Sequence, residues 1–155
     1  MGMRRYAHTG GAKSGVGSKT VRESRRGGAK RSEVALSPKP PLVYIADDSE
    51  VVRSALERRL RAEGVHVHAG GSAADSRSIT TRGFACALLD LDLGDGDGVD
   101  VAELLRTHQP DLSVAFFSAG ASDAVTARAE ALGPIFGKPH ELEGAIAWVL
   151  ACARR

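Results

Sequence analysis

FACALLDLDLGDGDGVDVAELLRTHQP, residues 84–110, reads as a strand, a loop and a helix in succession. The uninterrupted apolar run 84–89 has the length and character of a strand buried on both faces, and it ends on Asp90. A glycine-rich acidic loop (94–98) follows, then a helix that turns Val101, Leu104 and Leu105 inward and must stop before Pro110. The same punctuation recurs on either side. LVYIA (42–46) leads into Asp47 and Asp48, SVAFF (113–117) into Ser118, and PIFG (134–137) into Lys138. Between these runs lie helical patterns. Ser49 caps the first, with Val52, Leu56 and Leu60 at helical spacing and Gly64 at its end. VHVHA (65–69) alternates like an edge strand, 72–82 is a weak polar helix, and 122–132 an Ala-rich one. The last helix, 140–153, contains Leu142, Ile146, Val149 and Leu150. Five βα units in series predict right-handed crossovers and an α/β fold, one doubly wound parallel sheet of five strands with helices on both faces.

In such a sheet, polar residues just past the carboxyl ends of the strands meet in one crevice. Asp47, Asp48, Asp90, Ser118 and Lys138 all occupy such positions. Crowded acids repel one another unless a divalent cation neutralises them, and hard oxygen ligands beside a lysine and a hydroxyl suit magnesium and phosphoryl chemistry. A carboxylate can itself attack a phosphoryl group, which makes Asp90 the candidate nucleophile. Any one of these residues alone would more simply be a cap or a solvated side chain. Their order and spacing together carry the argument.

The acidic pair, Asp90 within DLDLGDGDG, Ser118 followed by Ala119, and Lys138-Pro139 resemble the receiver domain of two-component response regulators over residues 42–153. The resemblance implies the flavodoxin-like strand order 2-1-3-4-5. It implies that Asp90 accepts a phosphoryl group from a histidine kinase or phosphotransfer protein. Asp48 and Asp90 would bind Mg2+ directly, Asp47 through water, and Asp92 through its backbone carbonyl. Ser118 would meet a phosphoryl oxygen, Lys138 would supply positive charge, and the Lys138-Pro139 bond would be cis. Val52 and Ala55 on the first helix would belong to the patch that docks the kinase. Such a module is not an enzyme beyond slow self-catalysed transfer and hydrolysis. Two positions depart from the family pattern. Gly94 replaces the usual proline four residues after the phosphoacceptor, which predicts a mobile loop. Ile135 stands where an aromatic switch residue is expected, while Phe136 should face the other side of its strand.

Charge divides the chain. Residues 1–41 carry 10 Lys and Arg against 2 acids, leaving 11 against 17 for residues 42–155. The first part, rich in Gly, Ser, Lys and Arg and closing on PKPP, reads as a disordered basic tail and linker, and residues 42–155 as the domain. GAKSGVGSKT in the tail fails as a phosphate loop, because Ser18 separates Gly17 from Lys19 and no strand precedes it. Cys86 and Cys152 read as small buried hydrophobes of a reducing compartment. With no apolar stretch of the ~18 residues a bilayer crossing needs, and no signal-peptide core, a cytoplasmic location without membrane attachment is expected. No second globular segment is legible, so the effect of phosphorylation would pass through an output partner. Two other functions fit parts of the chain. The tail offers salt-sensitive nucleic-acid binding, although Tyr6 is its only aromatic residue. A magnesium phosphohydrolase would use Asp90 as nucleophile with Asp92 as second acid, by resemblance to the haloacid dehalogenase family, where that pair follows the first strand.

Overall fold

The computed structural model describes Gly11, residues 39–79 and residues 83–155. The chain forms two compact units, and every described residue but Gly11 belongs to the second. The expected tail, apart from Gly11 and the last linker residues, and the end of the second expected helix lie outside the described residues.

Among the described residues ten elements follow in strict alternation: β1 Leu42–Ala46, α1 Glu50–Ala62, β2 His66–Gly70, α2 Ala73–Arg77, β3 Cys86–Leu89, α3 Gly98–His108, β4 Ser113–Ser118, α4 Asp123–Glu130, β5 Ile135–Gly137 and α5 Leu142–Ala153. All strand pairs are parallel and the order is β2-β1-β3-β4-β5, as the resemblance implied.

Successive side chains of the central strands feed two cores. Tyr44, Ala46, Ala87, Leu89, Val114 and Phe116 pack with α2, α3 and α4 on one face. Val43, Ile45, Cys86, Leu88, Ala115 and Phe117 pack with α1 and α5 on the other. This is the two-residue period of a strand, with both faces covered.

Local chemistry moves several boundaries. Val65 donates its N–H to Leu60 O at the end of α1, so β2 starts one residue later than expected, with His66 N–H bonded to Pro41 O. The side-chain amide of Gln109 clasps both backbone groups of Phe84, which leaves Cys86 as the first residue of β3. The second helix is confined to Ala73–Arg77, capped by Ser72 at its start. Leu104 and Leu150 are only partly buried, whereas Val101, Leu105, Ile146 and Val149 are core. Val52 packs partly buried against the α1/α5 core, and its neighbour Val51 is 80% exposed. The exposed apolar side chain of this helix is thus Val51, one residue before Val52. Both cysteines are buried and free, and burial pushes the Cys86 thiol far above its ordinary range. Among the described residues no helix is long and apolar enough to cross a membrane.

The loop between β3 and α3 is more tightly tied than its glycines suggest. Leu93 N–H donates to Gly96 O, Gly98 N–H to Leu91 O, and Gly94 N–H to Asp92 Oδ1. The Asp95 carboxylate accepts from the N–H groups of Ala73 and Ala74, joining the loop to the start of α2. Those bonds hold the Asp95 carboxyl below the usual carboxylate range. Gly94 itself has φ +76°, in the left-handed region closed to proline. The substitution of glycine for proline thus marks a different turn.

Gly98 lets the first turn of α3 approach the backbone under Asp90: a Cβ there would stand 1.9 Å from Asp90 O. Gly98→Ala is expected to lower stability by about 1–3 kcal/mol, the usual cost of forcing atoms into a filled site. A fall in the urea midpoint at constant slope would register it.

Candidate functional site

The parallel register sets the site. Ala46 of β1 pairs with Leu89 of β3, and Asp90 N–H donates to Ala46 O at 2.7 Å, so Asp47 and Asp90 leave adjacent strands side by side. Carboxylate oxygens of Asp47, Asp48 and Asp90 lie within 4.8 Å of one another. Asp47 is 2% and Asp90 7% exposed, while Asp48 opens to solvent.

From β5, on the far side of β4, Lys138 reaches across to both buried acids. Its Nζ lies 2.6 Å from Asp47 Oδ2 and also bonds Asp90 Oδ2. The other oxygens are held by main-chain donors: Asp47 Oδ1 accepts from Ser49 N–H at 2.9 Å, and Asp90 Oδ1 from Asp92 N–H at 3.2 Å. Three carboxylates against one ammonium leave the cluster anionic. Burial raises the Asp47 pKa, offset in part by the lysine. Burial works against charge on Lys138 as well, yet its bonds to Asp47 and Asp90 outweigh that and keep its pKa above the ordinary lysine value.

Ser118 ends β4 at the same rim and is buried. Its hydroxyl engages Gly120, donating to the carbonyl at 3.2 Å and accepting from the N–H at 3.3 Å. It is thus turned onto its own loop and would have to exchange these bonds to meet a ligand over Asp90. Asp92 is exposed, and its carboxylate accepts from Gly94 N–H. That carboxylate stands outside the cluster formed by Asp47, Asp48 and Asp90. The Lys138-Pro139 bond is cis. Ile135 packs with the α2/α3/α4 core and Phe136 with the α1/α5 core, as strand alternation predicts.

Two contributors were not foreseen. Arg53, one turn into α1, donates to Asp47 O at 2.6 Å and pins the β1 to α1 loop from below. Phe117 places its ring beneath Lys138, with Nζ 5.5 Å from the centroid. A basic residue on an amphipathic helix and an aromatic in a buried strand are ordinary in sequence, and neither signals a role at a site elsewhere in the chain.

The donor set fits a hard divalent cation. Magnesium bonds oxygen at about 2.0–2.1 Å and takes one or two carboxylates plus waters, so oxygens already this close need little movement to share one ion. Asp47, Asp48 and Asp90 supply oxygens of the right chemistry, and the net negative charge favours a cation.

The model of the response regulator receiver domain family matches residues 43–138. Transcriptional regulatory protein PrrA of Mycobacterium bovis is 33% identical over 118 residues, covering 74% of this chain and 51% of the relative. Acid tolerance regulatory protein ActR of Sinorhizobium medicae is 30% identical over 115 residues, covering 72% and 59%. This chain therefore matches little more than half the length of these relatives. A response regulator from Burkholderia pseudomallei, solved with a phosphorylated aspartic acid, a calcium ion and citrate, superposes with a TM-score of 0.63 at 25% identity, over 74% of this chain and 69% of that one.

Divalent-cation binding to the acidic cluster should stabilise the fold by mass action. At a magnesium concentration one hundred times its dissociation constant the gain is about 2.7 kcal/mol. Thermal unfolding in MgCl2, against NaCl of equal ionic strength, should show this rise in the native chain and a much smaller one in Asp48→Asn.

Proposed function

The chain belongs to the response regulator receiver domain family, and on that premise we propose that it is a phosphoacceptor module whose Asp90 takes a phosphoryl group from the phosphohistidine of a histidine kinase or phosphotransfer protein. In this reading residues 1–41 are an appended basic tail and residues 42–155 the working domain. The observation that carries it is the convergence of Asp90 with Asp47, Asp48 and Lys138 at the carboxyl ends of three strands.

An Asp90 carboxylate oxygen forms the new O–P bond as the N–P bond of the phosphohistidine breaks, and the bonding pair returns to the imidazole nitrogen. The product is an acyl phosphate. Lys138, already bonded to Asp90, is poised to follow the negative charge that spreads onto the phosphoryl oxygens. Ser118 would trade Gly120 for one of those oxygens, and the small Ala119 leaves the approach clear. Magnesium, held by Asp48, Asp90 and the carbonyl of Asp92 with Asp47 acting through water, would supply the remaining neutralising charge. Repeated turnover of a free substrate is not expected, because the nucleophile is consumed at each transfer until the acyl phosphate hydrolyses. The release of Ser118 from Gly120 gives the modification a mechanical consequence, freeing the loop that leads to α4.

Incubation with a small acyl phosphate and Mg2+ should label Asp90 once per chain, readable as a single added phosphoryl mass, with or without residues 1–38. Asp90→Asn should take no label, and an undiminished label on that variant would defeat the proposal.

The face of α1 near the site, formed by the exposed Val51, Ser54 and Arg58 with the half-buried Ala55, suits docking of the kinase's helical domain. Burying one valine side chain contributes about 1.5 kcal/mol or more, which corresponds to at least tenfold in affinity. Val51→Glu should therefore slow transfer from the cognate kinase about tenfold or more, while labelling by the small donor stays within about twofold, in parallel assays of the two donors.

A further inference from the structure

Phe117 directly precedes Ser118 on β4 and turns its ring to the α1/α5 face, where it is buried. Lys138 is tied to the same strand by its own N–H, which donates to Ser118 O at 2.9 Å. The ring and the ammonium are thus held to one register. On one side the ammonium engages Asp47 and Asp90; on another it stands over the face of Phe117 at 5.5 Å from the centroid. Phe136, paired with Phe117 across the strands, lies instead against α5, where a Cβ at Gly144 would touch its ring at 3.4 Å.

We propose that Phe117 is a positioning residue for phosphoryl transfer, its ring holding the Lys138 ammonium at the level of Asp90 through a cation–π contact. The role rests on the phosphoacceptor reading above. The physical reason is a change of partners at the site. When Asp90 becomes an acyl phosphate, its carboxylate charge is lost and Lys138 must leave that oxygen for the phosphoryl group. Asp47 alone would then draw the ammonium back towards β1. The negative face of an aromatic ring is unchanged by the reaction and attracts a cation within about 6 Å. An aliphatic side chain of similar volume would fill the same space in the core without that attraction. The arrangement therefore separates two roles of one residue, packing against α1 and α5 and aiming a lysine.

Graded fluorination separates them experimentally. Replacing Phe117 with 4-fluoro-, 3,5-difluoro- and 3,4,5-trifluorophenylalanine keeps its shape while draining the negative face of the ring. The rate of Asp90 labelling by a small acyl phosphate with Mg2+ should fall stepwise, about fivefold across the series, the size expected of a partly desolvated cation–π contact. Phe117→Trp should retain the rate and Phe117→Leu lose it, while the thermal midpoints of the fluorinated chains remain near that of the native one. The side-chain protons of Lys138 next to the ammonium should also show an upfield ring-current shift in the native protein that disappears in Phe117→Leu. A flat rate across the fluorinated series, with native chain labelled normally, overturns the role of Phe117 alone. Absence of the ring-current shift does the same. Failure of the native chain to take any label at Asp90 overturns the phosphoacceptor reading and this role with it.

Discussion

Two carboxylates withdrawn from water, Asp47 and Asp90, share a single ammonium. At an effective dielectric constant near 20, two like charges 4 Å apart repel by about 4 kcal/mol, and Asp48 adds to that repulsion from the open side. The fold tolerates the arrangement because each buried acid has a main-chain donor on one oxygen and Lys138 on the other. What remains is an uncompensated negative charge directed at solvent. That residue of charge favours a divalent cation, and it is created by strand register.

The backbone around the site is arranged to keep that register. Gly98 seats α3 directly against Asp90 O, and Gly133 plays the same part at Val114 O, ahead of β5 and Lys138. Asp95 binds the β3 to α3 loop to α2, and Arg53 binds the β1 to α1 loop to its own helix. Each acid thus leads into a loop tied to a helix by a side-chain hydrogen bond. Arg128 extends the bracing on the outer surface, joining α4 to Asp97, Asp100 and Glu103 at the start of α3. Exposed pairs of this kind contribute little individually, but three acids on one guanidinium orient α4 with respect to the loop that phosphorylation would disturb.

The resemblance places an aromatic switch residue at position 135, and this chain has isoleucine there. Ile135 is the side chain on the α4 face of β5, and it offers no ring to move between two positions. The aromatic residues nearest the site, Phe117 and Phe136, both belong to the α1/α5 core. Lys138 thus contacts an aromatic residue of the α1/α5 core, whereas the Ser118 hydroxyl contacts Gly120 in the loop that precedes α4.

The fold was legible because its strands announce themselves: apolar runs ending in Asp47, Asp90, Ser118 and Lys138 repeat with helical segments between them, and only a parallel sheet brings such ends together. The two-residue period likewise placed Ile135 and Phe136 on opposite faces. Element ends were less legible, since they depend on who takes a given N–H. Val65 left β2 because Leu60 O claimed it, and Phe84 left β3 because Gln109 lies across from it. The same limit moved the exposed apolar position of α1 from Val52 to Val51, as helical spacing cannot say which neighbour meets the core. Tertiary structure alone decided that the Ser118 hydroxyl rests on Gly120, that the glycine-rich loop is tied down through Asp95, and that Arg53 and Phe117 attend the site. Those are contacts between residues whose types are common and whose separations follow no pattern. Only the packing of the elements brings them within a few ångströms, and that is not written in the spacing of the residues themselves.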